Sequence, residues 1–354
     1  MKSRAKSPAA LAGPLLKWYD RSKRDLPWRV AAGHPDPFHV FVSEAMLQQT
    51  QVATVVPYFH RFLAALPTIA DLAAADEQVV LRLWQGLGYY SRARNLRKAA
   101  ITVVEQHNGR MPSDVETLLT LPGVGRYTAG AIASLAYDTR APILDGNVIR
   151  VLCRLDAIEQ DPRTPTMQKR LWVRAEEILP QKRAGDFNSA LMELGATVCT
   201  PRNPQCLICP VASQCTAYEK QLQNVIPPPK KAKETPLLVR HVLCLRDGDG
   251  RFLVEQRPTT GRWAGMWQFI TRPSEDFTDV LGTASPKRIN LGIVRHALTH
   301  RRYEFRASVA VFDVVANSEK WRWATAHELH RLPFSRPHLK IRALAEAAAY
   351  PPTR

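Results

Sequence analysis

Apolar residues recur three and four positions apart from Phe38 to about Leu222, which predicts a mainly helical first part. Phe41, Ala45, Val52, Val55, Phe59 and Phe62 form one such stripe, and the run Leu171 to Leu179, stopped by Pro180, forms another. Before them, the basic stretch Met1 to Lys6 leads through Pro8 into Ala9 to Leu16. This predicts the start of the first helix and not a signal peptide, because Pro14 interrupts the short apolar run. The stretch Gln223 to Pro236 changes character. There Pro227, Pro228 and Pro229 precede Lys230, Lys231 and Lys233, the composition of an extended, solvated linker. Beyond it the period shortens towards two. Leu237 to Arg246 and Arg251 to Gln256 read as strands of a hairpin around Asp247-Gly248-Asp249-Gly250. Tyr303 to Val315 reads as a further strand, and the alanine-rich Pro337 to Tyr350 as a closing helix. The expected organisation is a mainly α part over residues 1–222, a linker at 223–236 and an α+β domain at 237–354.

A chain of 354 residues is long enough for about two domains, each with its own core. Its 45% hydrophobic and 23% charged composition excludes a fully disordered chain or a fibrous repeat. Charge changes the picture more. The net charge is +17, and both halves are basic: residues 1–226 carry +7 and residues 235–354 carry +8. The excess is not a detachable tail, so polyanions are the favoured partners, with nucleic acid ahead of an anionic membrane. No apolar run approaches the roughly 20 residues needed to span a bilayer.

Four of the six cysteines fall between Cys199 and Cys215, while Cys153 and Cys244 stand alone. That distribution predicts a reducing, cytoplasmic interior and a ligand loop. Six, two and five residues separate Cys199, Cys206, Cys209 and Cys215. Zinc sites usually pair their ligands across a longer span, whereas one close pair flanked by single cysteines favours an iron–sulfur cluster. Upstream, Leu121-Pro122-Gly123-Val124-Gly125-Arg126-Tyr127 is a Gly-rich turn opening an apolar helix. Gly123 and Gly125 suit either a close approach of backbone N–H groups to a phosphate or plain helix packing. Asp145, in Leu144-Asp145-Gly146-Asn147, opens another helix. It suits an ordinary N-cap, and equally a carboxylate held anionic beside a developing cation.

Hairpin, aspartate and cysteine loop, in that order, resemble the helix–hairpin–helix DNA glycosylase superfamily in its iron–sulfur branch. The stretches Leu26-Pro27-Trp28-Arg29, Val42 to Val52, Trp84 to Leu96 and Met192-Glu193-Leu194-Gly195-Ala196 are similar to the MutY family within that branch. The likeness is dense over about residues 8–222. It continues more weakly over 237–350, which resemble the MutT-related (Nudix-fold) recognition domain of that family.

The resemblance implies a 4Fe-4S cluster on Cys199, Cys206, Cys209 and Cys215. It also implies excision of adenine opposite 8-oxoguanine, or less well opposite guanine, in double-stranded DNA, by a monomer with no membrane attachment. Glu44 would be the acid that protonates adenine N7, and Asp145 the group that stabilises or transiently bonds the anomeric carbon. Tyr127 and Asn147 would orient that carboxylate chemistry; packing and capping explain the same two residues. Tyr127 stands where lyase-competent relatives carry lysine, so no Schiff base with the sugar forms there and no strand cut follows. Arg24, Leu26, Trp28 and Glu193 would enclose the extruded base, with Trp28 equally suited to a core. Gln48, Gln49, Thr50, Leu87 and Tyr89 would line or fill the opened helix, Gln49 and Tyr89 by insertion. Arg92, Arg94 and Arg97 suit phosphate contact or a solvated helix face alike.

Glu44 shares a helical face with Val40 and Leu47, so burial should raise its pKa and keep it protonated, although composition alone favours a surface glutamate on an amphipathic helix. In the second domain, Gly261 to Gly292 offers only Glu275, Asp276 and Asp279 as acids, without the Glu-rich helix that holds magnesium in Nudix hydrolases. Pyrophosphate hydrolysis is therefore not expected. Where the family reads the oxidised guanine with a Phe-Ser-His loop, this chain has Leu298-Thr299-His300. Thr299 keeps a hydroxyl and His300 its ring, but the aromatic is lost. Two other readings remain: an endonuclease III-like enzyme for oxidised pyrimidines, against which Tyr127 argues, and a non-catalytic iron–sulfur DNA-binding protein, against which Glu44 and Asp145 argue.

Overall fold

A computed structural model describes residues 8–30, 33–229, 234–298, 300–313 and 318–349. The described chain divides into two compact units. One holds the residues up to Ala74 and from Asn95 to the linker; the other holds Ala75–Arg94 with the residues after the linker. The linker thus marks only one of the boundaries. Within the second unit, Arg94 Nη1 donates to Ala264 O at 2.6 Å and Gln78 Nε2 to Gly265 O at 3.3 Å. These contacts join residues 170 and 187 positions apart, which no local pattern announces.

The first unit is helical, as its apolar period requires. Its opening helix, Pro8–Ser22, runs through Pro14. The stripe from Phe41 to Phe62 belongs to two helices, Pro37–Leu47 and Val52–Ala65, and not to one. Between them Gln49 adopts a left-handed φ of 59°, which ends the first helix and turns the chain. Phe41, Ala45, Val55, Phe59 and Phe62 are all buried, whereas Val52, at the start of the second helix, is half-buried. The run ended by Pro180 forms the helix Pro165–Ile178. Helix Arg126–Tyr137 packs against Pro37–Leu47 and against Ala184–Thr197, and the latter also packs against Gly146–Leu155. A Cβ at Gly195 would lie 2.6 Å from Asn147 Cβ, so the last of these approaches depends on glycine.

The second unit contains strands β1 (Leu237–Arg246), β2 (Phe252–Gln256), β3 (Trp267–Arg272), β4 (Arg288–Leu298), β5 (Arg301–Val311) and β6 (Trp321–Ala324) in one sheet. The order is β4-β5-β1-β3-β2-β6, with β1 and β5 parallel and the other pairs antiparallel. The expected β1–β2 hairpin meets only at Arg246 and Phe252. β1 lies centrally instead, and its continuous run Val242 to Leu245 is buried on both faces. β5 alternates as predicted, with Tyr303, Phe305, Ala307 and Val309 buried; the end expected at Val315 lies outside the described residues. Helix Arg336–Ala349 covers one side of β4 and β5. The acids between Gly261 and Gly292 are engaged in ordinary ways. Asp279 pairs with Arg272 at 2.5 Å, Asp276 caps Thr278, and Glu275 lies 3.3 Å from His241.

Candidate active site

Everything that follows on the cleft lies within the first unit. The apolar face of helix Pro37–Leu47 carries Glu44 inward with Val40, and the carboxyl is only 5% exposed. Asp36 starts this helix by accepting from Phe38 N and His39 N, so the buried acid sits on a well-capped element. Burial pushes Glu44 up to about 7, and the neighbouring Asp145 adds to the rise. Tyr127 opposes it: its hydroxyl donates to Glu44 Oε2 at 2.6 Å, and Arg29 acts in the same direction. At neutral pH the acid is therefore poised between its two forms.

Asp145 is the N-cap of helix Gly146–Leu155 and accepts from Val148 N at 2.7 Å and from Asn147 Nδ2 at 3.0 Å. The cap expected from the sequence is present, and the same side chain lines the cleft. Burial raises the Asp145 carboxyl, although the Val148 and Asn147 donors and Arg150 pull it down; the helix terminus alone does not set its charge. Asn147 is itself held, its Oδ1 accepting from Arg150 Nη2 at 2.8 Å, while Arg150 also donates to Gly195 O and Cys199 O.

Glu44, Asp145, Tyr127 and Asn147 line one cleft of about 1350 Å³, with Arg24, Leu26, Trp28, Gln48, Gln49, Thr50 and Glu193. Glu193 is 1% exposed and doubly paired, to Arg24 Nε at 2.6 Å and Arg29 Nη2 at 2.9 Å. Burial works against its charge, yet the two guanidiniums hold it below the usual carboxylate range. Trp28 has its ring edge-on to Phe59 and is buried while lining the cleft, so it serves both as core and as wall. Arg29, Arg150 and Met192 were not singled out from the sequence. Much of their signal is tertiary: Arg29 reaches Glu193, Arg150 reaches Gly195 and Cys199, and Met192 meets Tyr127, in addition to the near neighbours Arg24, Gly146 and Asn147.

The remaining expected residues are described within their own units. Leu87 and Tyr89 belong to the Ala75–Arg94 segment of the second unit, where Leu87 is buried and Tyr89 is exposed with a φ of 48°. Arg92 donates to Leu87 O and Gly88 O, and Arg94 to Ala264 O, so both guanidiniums are turned to the protein's own carbonyls. Gly123 has a φ of 76° and faces Asn95, whose Cβ would lie 2.5 Å from an added Cβ; Gly125 caps helix Arg126–Tyr137. His300 is exposed beside the β4–β5 turn, and Thr299 lies outside the described residues.

Cys199, Cys206, Cys209 and Cys215 are gathered in one loop and take part in no disulfide. Among the described residues no three His, Cys, Asp or Glu side chains close on a single ion. A cluster interposes iron and sulfide between the thiolates and so demands a wider cage than zinc does. Arg154, 2% exposed, places Nη1 3.3 Å from Cys199 Sγ while donating to Thr200 O and Ile226 O. A buried cation at this loop suits an anionic cluster. Replacing Cys209 with serine is expected to lower bound iron and the visible iron–sulfur absorption together; iron analysis with the spectrum checks this, and zinc in place of iron would contradict it.

Residues 42–177 match the family described as HhH-GPD superfamily base excision DNA repair protein, residues 199–215 the iron-sulfur binding domain of endonuclease III, and residues 241–344 the NUDIX domain. The chain is 37% identical to human adenine DNA glycosylase over 94% of its own length and 73% of that protein. Against the adenine DNA glycosylase of Rattus norvegicus it is 43% identical over 72% of its length and 59% of that protein. For that of Buchnera aphidicola subsp. Baizongia pistaciae the figures are 34%, 92% and 94%. A thermostable thymine-DNA glycosylase superposes with a TM-score of 0.53 at 28% identity, over 60% of this chain and 97% of that one. With its 4Fe-4S loop, its helical glycosylase fold and its Nudix-like sheet, the chain belongs to the adenine DNA glycosylase family.

Proposed function

We propose that this chain excises adenine mispaired with 8-oxoguanine or guanine in duplex DNA and leaves the strand uncut. The observation that carries the reading is the pair of carboxyls in one cleft: Glu44, raised to about 7, and Asp145, capped and partly held ionised by its donors. Base departure needs a proton for the leaving adenine and an anion beside the sugar as positive charge develops. Glu44 in its acid form supplies the proton, with Tyr127 fixing the carboxyl, and Asp145 faces the anomeric carbon. Arg24, Leu26, Trp28 and Glu193 form the wall against which an extruded base would rest. Tyr127 has no amine, so no imine joins enzyme and sugar and the backbone stays intact. Leu298, Thr299 and His300 would read the opposite base, and the +17 net charge draws the duplex in.

No described helix is long and apolar enough to cross a membrane, and we read the chain as a monomer working on cytoplasmic DNA. The test is single-turnover excision on duplexes that differ only in the base opposite adenine. The expected order is 8-oxoguanine faster than guanine, with cytosine and thymine slow, and strand breaks only after alkali. Equal rates for all four would refute the opposite-base reading, and breaks without alkali would favour an endonuclease III-like lyase.

A further inference from the structure

The hydroxyl that adjusts Glu44 has a second neighbour. Tyr127 Oη lies 2.6 Å from Glu44 Oε2 and 3.4 Å from Met192 Sδ. Met192 sits on helix Ala184–Thr197 beside Glu193 and lines the same cleft as Glu44 and Asp145. Of the described methionines, Met46, Met111, Met167 and Met266 are all buried, whereas Met192 is partly exposed. Among the described methionines the most exposed is thus the one whose sulfur lies beside the Tyr127 hydroxyl.

We propose that Met192 is a reversible oxidation site that controls the hydroxyl beside the catalytic carboxyl, taking its oxygen from a two-electron oxidant of the hydrogen peroxide class. The thioether sulfur attacks one peroxide oxygen, an S–O bond forms and the O–O bond breaks, and the second oxygen leaves as water with both peroxide protons. Sulfur is oxidised by two electrons and peroxide is reduced by two. A thioether is a weak acceptor, and a sulfoxide oxygen is a strong one. Tyr127 has a single hydroxyl proton, so a sulfoxide at this distance draws it away from Glu44 Oε2. Glu44 faces Tyr127, Asp145 and Arg29, and Tyr127 is the donor that holds it lowest. Without that donor the Glu44 carboxyl rises further and loses its orientation. The chemical modification stands independently of the excision reading, while its effect on rate rests on it.

The test treats the full cluster-loaded chain with a few equivalents of hydrogen peroxide, keeping samples whose visible absorption is unchanged. Peptide mass spectrometry is expected to find one added oxygen on Met192 before any on Met46, Met111, Met167 or Met266. Single-turnover adenine release at pH 7 is expected to fall about tenfold, the worth of roughly one hydrogen bond to a charged group. The alkaline limb of the rate profile moves to higher pH, which mere loosening of the helix would not cause. The two methionine sulfoxide reductases together restore both. Met192→Leu, compared treated against untreated, keeps its own rate within about twofold. Oxygen appearing first on a buried methionine, oxidation of Met192 with no change in rate or limb, or an equal peroxide loss in Met192→Leu overturns the proposal. An untreated chain that releases no adenine counts against the excision reading instead, and the oxygen map still decides whether Met192 is the oxidised site.

Discussion

Glu44→Gln is expected to lower adenine release by about 10²–10⁴-fold, the range for loss of a positioned general acid, with duplex binding retained. The amide keeps the volume of the side chain and an oxygen that can accept from Tyr127, so the cleft stays filled. It carries no acidic proton. In the parent protein the rate should fall as pH rises through about 7, because Glu44 then loses the proton that the leaving base needs. Stability follows the same titration. The folded chain holds the Glu44 proton up to about 7 against an ordinary 4.5, so this contribution is fully present below 4.5 and is lost as pH climbs to about 7. Glu44→Gln removes that slope. Above pH 7 the variant should be the more heat-resistant of the two, by up to about 3 kcal/mol, and the gap should close towards pH 4. Melting curves at pH 4 and pH 8 together with single-turnover rates check both halves. Retained turnover would remove Glu44 from the acid role, and a variant no more stable than its parent at pH 8 would mean the burial cost had been misjudged.

Asp145→Asn is expected to reduce excision by at least about 10³-fold, near 4 kcal/mol of transition-state stabilisation. Asparagine caps a helix about as well as aspartate, so the bond to Val148 N can persist and helix Gly146–Leu155 should start as before. What disappears is the negative charge that the proposed mechanism sets against the sugar. The comparison with Asp145→Ala separates the two duties, since alanine also forfeits the cap at about 1 kcal/mol. Equal melting temperatures for Asp145→Asn and the parent, with turnover lost, would assign the defect to chemistry. Turnover retained in Asp145→Asn would leave Asp145 as a cap alone.

The relation between these two residues shows where sequence reading succeeded and where it stopped. Asp145 was legible as a cap because the signal is local: an aspartate, a glycine and then a helical period. Glu44 was legible as lying on an apolar face for the same reason, but a helix face can turn to solvent or to core. The helix Arg126–Tyr137, packed against it, settles that and brings Tyr127 83 residues along the chain to its carboxyl. Glu193 lies in a motif legible in the sequence, whereas its charge state depends on Arg24 and Arg29, some 165 residues earlier.

The same division runs through the whole molecule. Periodicity, the proline-lysine linker and the cysteine spacing act over a few residues, where backbone geometry and ligand reach leave few choices, and they were enough for the helical first part, the sheet after it and the metal loop. Contacts between distant segments set the rest. β1 became a central strand beside β5 because its apolar run could be buried on both faces there, and Ala75–Arg94 joined the second unit through carbonyls far along the chain. Burial, partner choice and hence pKa belong to this second class, since a charge responds to everything within a few ångströms whatever its place in the chain.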